Sequence, residues 1–167
     1  MVNAMTATEN RWQVVLGMPV AGLLWSLATL IARGPEVVAL GIPMTEALVY
    51  ISLGGMAQTL LLWVGFTFVI WAMTRAFGGK VAILRLLALV SGSAPVLWAG
   101  APATAYWIYG TAGQTAIAAT LCLTALALFL RGLAKDLAID LGWPASRAAA
   151  VVATATIFLA SFTFLAI

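Results

Sequence analysis

The sequence predicts an all-α integral membrane protein, one domain of residues 1–167 folded as a bundle of five transmembrane helices. Three observations carry this expectation. Five apolar stretches, 12–32, 48–74, 82–108, 115–130 and 148–167, contain no ionisable side chain in their central turns. A hydrocarbon core ~30 Å thick takes about 20 such residues as a helix, because a backbone in lipid must satisfy its own hydrogen bonds. Composition agrees: 64% hydrophobic residues, 8% charged and a mean hydropathy of +1.11 leave too little polar surface for a water-soluble domain. Finally, Arg11, Arg75, Lys80, Arg85, Arg131, Lys135 and Arg147 fall on one side of a five-helix threading, and only Arg33 on the other. Loops rich in Lys and Arg stay in the cytoplasm, so the N-terminus is expected inside and the C-terminus outside a multi-pass inner (cytoplasmic) membrane protein.

Taken in order, the first ten residues are polar, with Thr6 and Glu9 spaced as a capping box for the first helix. The apolar run that follows is long and lacks a good small-residue cleavage signal, so it reads as a retained helix and not a signal peptide. Arg33, Gly34, Pro35 and Glu36 end it; residues 37–44 are too short to cross and are expected at the outer interface. Pro43 and Thr45 suit the start of the second helix. The third stretch contains Ser91, Gly92, Ser93, Ala94 and Pro95, where proline removes a backbone donor and small residues admit close neighbours, so a kink is expected. Tyr106, Trp107 and Tyr109 fit an aromatic anchor at its outer end. After the fourth stretch, Leu133, Leu137 and Leu141 recur every four residues with Arg131, Lys135, Asp136 and Asp140 on other faces. That pattern predicts a short amphipathic helix at the cytoplasmic membrane face before the last span, continuous with the fourth stretch or bent from it and stopped by Gly142 and Pro144. Ser146 is then placed to cap the last helix.

Several function classes are excluded or disfavoured by what is missing. The chain has no histidine, so histidine-ligated haem, copper or zinc and a histidine general base are unavailable within it. No Gly-rich phosphate loop is present, and no base is placed beside a Ser or Thr nucleophile. Neither catalysis nor a cofactor is expected. The eight basic residues are spread over the connections without forming a stripe, which points to lipid headgroups and away from nucleic acid. Cys122 is the single cysteine and sits in an apolar stretch, where it packs as a small hydrophobe.

The candidate residues are those that pack helices or meet headgroups. Gly17 and Ala21, Gly22 and Ser26, and Ala149 and Ala153 are small pairs spaced by four, the pattern that lets membrane helices approach closely. Gln58, just after Gly54 and Gly55, is the strongly polar side chain nearest a membrane centre. An interhelical hydrogen bond is its favoured reading, with a ligand or partner contact as the functional one. Trp12, Trp71, Trp107 and Trp143 fall near interfaces, whereas Trp25, Trp63 and Trp98 sit deeper, suited to packing or to an apolar ligand. Asp136 and Asp140 are better read as solvated face residues than as a shared cation site. The basic loop of Arg75, Lys80 and Arg85 is expected to meet anionic headgroups at ~1 kcal/mol per residue.

From Trp63 to Ile108 the order is an apolar helix ending in Met73-Thr74-Arg75-Ala76-Phe77, then Gly78-Gly79-Lys80, a new helix with Leu84-Arg85-Leu86-Leu87-Ala88, and Ser93-Ala94-Pro95 within the membrane. This resembles the Yip family of multi-span membrane proteins, and in particular its small prokaryotic members. The resemblance implies five spans with a cytosolic N-terminus, and structural roles for Gly78 and Gly79 in a tight turn and Pro95 in a kink. The chain lacks an Asp-Leu-Tyr-Gly-Pro motif, so the Rab GTPase interaction of eukaryotic members is not implied.

The expected function is that of a non-catalytic accessory or scaffold subunit packing against another integral membrane protein. The alternative is a transporter or substrate-capture component for a neutral apolar molecule or lipid, since no ionisable group lies at mid-membrane for ion coupling. A five-helix receptor of the translocator-protein type ranks third, because that family's Trp-Pro-Pro neighbourhood is missing.

Overall fold

The computed structural model describes the backbone of residues 3–165 and the side chains of residues 16–161 except 112. Its elements are α1 (Asn3–Ala32), α2 (Gly34–Ala39), α3 (Met44–Ala76), α4 (Ile83–Ser93), a 3₁₀ turn (Ala94–Val96), α5 (Leu97–Tyr109), α6 (Ala112–Leu141) and α7 (Ala145–Leu165), with no strand among the described residues. Three helical stretches, Met44–Ala76, Ile83–Tyr109 and Gly113–Leu141, are long and apolar enough to cross a membrane; Leu16–Ala32 and Ala145–Ser161 are shorter apolar helices. The protein is therefore an all-helical chain of membrane type.

Successive long helices run up and down between two ends. At one end, Arg33 after α1 lies over the ring of Tyr109 at the close of α5, 5.1 Å from its centroid. At the other, Arg147 of α7 donates to the carbonyl of Phe77 after α3, and its guanidinium stacks 4.3 Å above the Trp143 ring. Helix α1 packs against α3, α4 and α5; α6 packs against α5, α7 and α4; α7 lies against α6 and α3.

The turn after α3 follows the glycine chemistry expected of it. Gly78 has φ +78°, Gly78 N–H donates to Arg75 O at 2.9 Å and Gly79 N–H to Thr74 O at 2.8 Å, the paired bonds that close a helix through a left-handed residue. A methyl group at Gly79 would stand 2.7 Å from the Trp143 ring, so this glycine also seats the loop after α6. Gly142 ends α6 in the same way, with φ +61° and Trp143 N–H bonded to Ala138 O at 2.9 Å. At Pro95, where a kink is expected, the helical run tightens into the 3₁₀ turn between α4 and α5. At the other end α2 carries Pro35 in its first turn, and Pro43 directly precedes α3.

Three local expectations change. Thr6 and Glu9 fall inside α1, which is helical from Asn3, so they do not mark its start; their side chains, with those of Arg11 and Trp12, lie outside the described residues. Residues 131–141 continue from the fourth stretch as the last three turns of α6, one of the two expected arrangements, but their leucines do not form a membrane-facing stripe. Leu133 and Leu137 are fully buried in the core, because that leucine stripe faces the other helices and not the membrane surface. Ser146 lies within the first turn of α7, which begins at Ala145 after Pro144, so it is not the cap.

The main core gathers at the Gly78 end: Phe66, Ile70, Leu86, Val90, Leu133, Leu137, Val151 and Ala155 are buried together. Phe66 and Phe129 meet there at 6.3 Å between ring centroids. At the Arg33 end only Leu30, Val37 and Ala47 form a small cluster. The Arg33 half of the bundle is thus the looser one, and α3 stands there with much of its apolar surface uncovered: Tyr50 is 72% and Leu61 75% exposed.

Candidate functional site

The close crossing of α1 and α3 prepares the site. Gly22 and Ser26 of α1 meet Gly55 and Thr59 of α3; a methyl group at Gly22 would sit 2.7 Å from Thr59 Oγ1, and one at Gly55 would overlap Ser26 Oγ. Ser26 returns its hydroxyl to Gly22 O at 2.8 Å and is wholly buried, so no polar group is left unpaired at the contact. One turn earlier, Gly17 lies against Ser91 of α4, whose Oγ accepts a long bond from Met18 N–H at 3.4 Å. Trp98 of α5 donates its indole N–H to Gly17 O at 2.8 Å. These contacts flank Pro19, which lacks an N–H within α1, and they give that part of the helix polar partners from its neighbours.

Beside this crossing a cleft of about 430 Å³ opens between α1, α3, α5 and α6. Trp25, Thr59, Leu97, Thr104 and Cys122 line it, with Gln58 at its edge. Two of its polar side chains are engaged with each other. Thr104 Oγ1 bonds Gly100 O at 2.9 Å and lies 3.2 Å from Cys122 Sγ. Gly100 is backed by Ala125 of α6, where a methyl would come within 2.7 Å of its Cβ, so α5 and α6 form a tight rear wall. The cleft is an apolar recess with a side-chain amide at its edge.

That amide belongs to Gln58. It is exposed and makes no hydrogen bond to a described residue, so the expected interhelical bond does not form. The reason is geometric: Gly55, Thr59, Phe66 and Ile70 take the inward face of α3, and Gln58 lies about 60° or more around the helix from each of them. It shares an outward face with Gly54, Leu61 and Gly65, spaced i, i+4, i+7 and i+11. A methyl group at Gly54 or Gly65 would meet nothing within 4 Å. Helix α3 therefore presents two glycines flanking an unbonded amide, about 21 Å along its axis from its start at Met44.

The remaining predicted residues sort differently. Ser91 and Ser93 both lie at the kink; Ser91 is buried against α1, while Ser93 donates to Leu89 O at 3.0 Å and to Asp136 at 3.2 Å. Ala149 and Ala153 are exposed, so this small pair packs no helix among the described side chains. The basic loop is divided. Arg85 forms an ion pair with Asp140 at 2.7 Å, Arg75 lies over Trp71 at 5.3 Å, and Lys80 is exposed. Asp136 and Asp140 are thereby directed to different partners, Ser93 and Arg85; no cluster of three or more potential metal ligands exists among the described residues. Of the deep tryptophans, Trp63 donates to Leu87 O at 3.3 Å and Trp98 to Gly17, leaving Trp25 on the cleft wall. At the far end Arg33 is paired with Glu36 at 2.5 Å, and that hydrogen bond and charge raise its pKa above the ordinary arginine value.

Sequence reasoning missed Gly55 and Thr59 as the partners of Gly22 and Ser26, and the contact of Thr104 with Cys122. The Gly55-to-Thr59 spacing of four was a usable signal; the Thr104 contact joins two helices and had none. No protein-family model matches the chain, and no curated protein or solved structure is similar to it.

Proposed function

We propose that this protein is a non-catalytic accessory or scaffold subunit of the cytoplasmic membrane, a five-pass bundle of Yip-like type that docks onto another integral membrane protein through the outward face of α3. The observation that carries the reading is the unbonded Gln58 amide between Gly54 and Gly65. An amide that finds no hydrogen-bonding partner in hydrocarbon costs roughly 4–8 kcal/mol on the cyclohexane scale, so a face that presents one is best satisfied by a second helix. Glycines one and two turns away remove the steric obstacle to that approach. Orientation rests on the loop charges: the one basic side chain of the Arg33 end is neutralised by Glu36, which sharpens the bias of free cations towards the opposite end.

The test is purification of the tagged chain from its native membrane in mild detergent. The wild type is expected to retain a membrane-protein partner at fixed stoichiometry. Gly54→Leu and Gly65→Leu should lose it, and Gln58→Leu should weaken it about fivefold, the worth of one membrane hydrogen bond of ~1 kcal/mol. A chain that purifies alone, or a partner retained by both leucine variants, overturns the proposal.

A second reading is favoured by the cleft itself. Its walls are almost wholly apolar, and its volume suits a small neutral molecule oriented by the Gln58 amide. Co-purification of a tightly held apolar compound, lost on Trp25→Ala, would support capture of such a ligand over subunit docking.

A further inference from the structure

A second and larger recess lies at the Gly78 end, independent of the α3 face. It is a groove of about 820 Å³ between α6 and α7, open away from the bundle. Its floor is set back by small side chains: Ala134 and Ala138 from α6, Ala149 and Ala153 from α7. Arg131 and Lys135, one turn apart on the same face of α6, stand along its rim.

Charge separates this groove from a merely exposed apolar surface. The acids of the same helix segment face the other way, Asp136 towards Ser93 and Asp140 towards Arg85. Arg147, the nearby cation of α7, is committed to Phe77 O and the Trp143 ring. Arg131 and Lys135 are both exposed and have no carboxylate within ion-pair distance among the described residues. The groove also has a direction. It runs from Trp143, beside the loop, down to Leu130, the last residue of the uncharged stretch of α6. One end is thus at headgroup level and the other reaches hydrocarbon, with two unneutralised cations between them.

We propose that this groove holds one anionic phospholipid, its phosphate on the headgroup side within reach of Arg131 and Lys135 and an acyl chain running past Ala134 and Ala153 towards Leu130. A paired Arg and Lys hold a phosphodiester by charge-assisted hydrogen bonds, and the apolar floor takes the chain that a free anion lacks. This assigns to Ala149 and Ala153 a lipid in place of a protein helix. It also moves the principal headgroup contact from the Arg75, Lys80 and Arg85 loop, where Arg85 is already neutralised by Asp140, to α6.

Native mass spectrometry of the purified full chain, titrated with phosphatidylglycerol or with phosphatidylcholine of the same acyl chains, tests this. The wild type is expected to take up one phosphatidylglycerol in preference to phosphatidylcholine. Arg131→Gln with Lys135→Gln should weaken that uptake about thirtyfold, from two basic side chains near the surface. Arg75→Gln with Lys80→Gln, which removes the same charge elsewhere, should leave it nearly unchanged. Ala149→Leu with Ala153→Leu fills an exposed floor and should abolish uptake with both cations in place, while inorganic phosphate should not displace the lipid. Equal losses in the two charge variants, undiminished uptake in the leucine variant, or displacement by phosphate would overturn the proposal.

Discussion

A methyl group added at Gly55 and one added at Gly54 differ by a single position in the chain and by the whole width of α3 in consequence. At Gly55 the new Cβ would overlap Ser26 Oγ and lie 3.0 Å from Ser26 Cβ and 3.2 Å from Trp25 Cε3. Ser26 is fully buried and bonded to Gly22 O, so its hydroxyl has no free direction in which to retreat. Forcing the two helices apart by a few tenths of an ångström costs ~1–3 kcal/mol, and disturbing the hydroxyl adds ~0.5–1.5 kcal/mol. Alanine's helical preference over glycine offsets about 1 kcal/mol, leaving Gly55→Ala roughly 2 kcal/mol destabilising. Gly54→Ala meets nothing within 4 Å and keeps only the propensity gain, so it should stabilise by up to ~1 kcal/mol. The two neighbours should therefore differ by roughly 3 kcal/mol in reversible unfolding of the purified chain in mixed micelles. Ser26→Ala removes the overlapping oxygen, and in that background the cost of Gly55→Ala should fall to about 1 kcal/mol or less. Equal stabilities for the Gly54 and Gly55 variants, or no rescue by Ser26→Ala, would refute the assigned crossing.

Four other expectations follow from single contacts. Trp98→Phe loses the indole bond to Gly17 O and should lower stability by ~1 kcal/mol in the same unfolding assay. Thr74→Val should raise it by about 1 kcal/mol, because the Thr74 hydroxyl is buried without a hydrogen-bond partner and valine preserves its shape. Arg85→Gln breaks the ion pair with Asp140, but the Arg85 side chain is 60% exposed, so the loss should stay below ~1 kcal/mol and shrink further in high salt. With the single cysteine removed as Cys122→Ser, Lys80→Cys should react with an impermeant thiol reagent only from the cytoplasmic face and Leu40→Cys, at a residue 73% exposed, only from the outer face; labelling of both from one face would contradict five passes.

Element identity was legible in the sequence because uncharged runs and glycine or proline stops report directly on local physics. The turn at Gly78 and Gly79, the bend at Pro95 and the stop at Gly142 each follow from a residue whose backbone freedom is set by its own chemistry. Residues 131–141 show where this reasoning fails. Their leucine stripe at spacing four is the same for a helix lying on a membrane as for one buried on edge, and only the packing of Leu133 and Leu137 against α4 and α7 distinguishes the two. The site was harder to read for a related reason. Gln58 was legible as a polar group deep in an apolar run, but whether it turns inward or outward depends on which face of α3 meets α1, and that is decided by Gly55 and Thr59. Likewise Ala149 and Ala153 have the spacing of a packing motif, while their exposure is a property of how α6 and α7 diverge.

The central claim is that the Gly54, Gln58 and Gly65 face of α3 is covered by a protein in the native membrane. Placing a photoreactive amino acid at each of these positions in turn, and at exposed Ile157 of α7 for comparison, addresses it directly. The account predicts one crosslinked protein of the same mass from all three α3 positions and none from Ile157. Lipid adducts alone from α3, or the same protein adducts from Ile157, would contradict it.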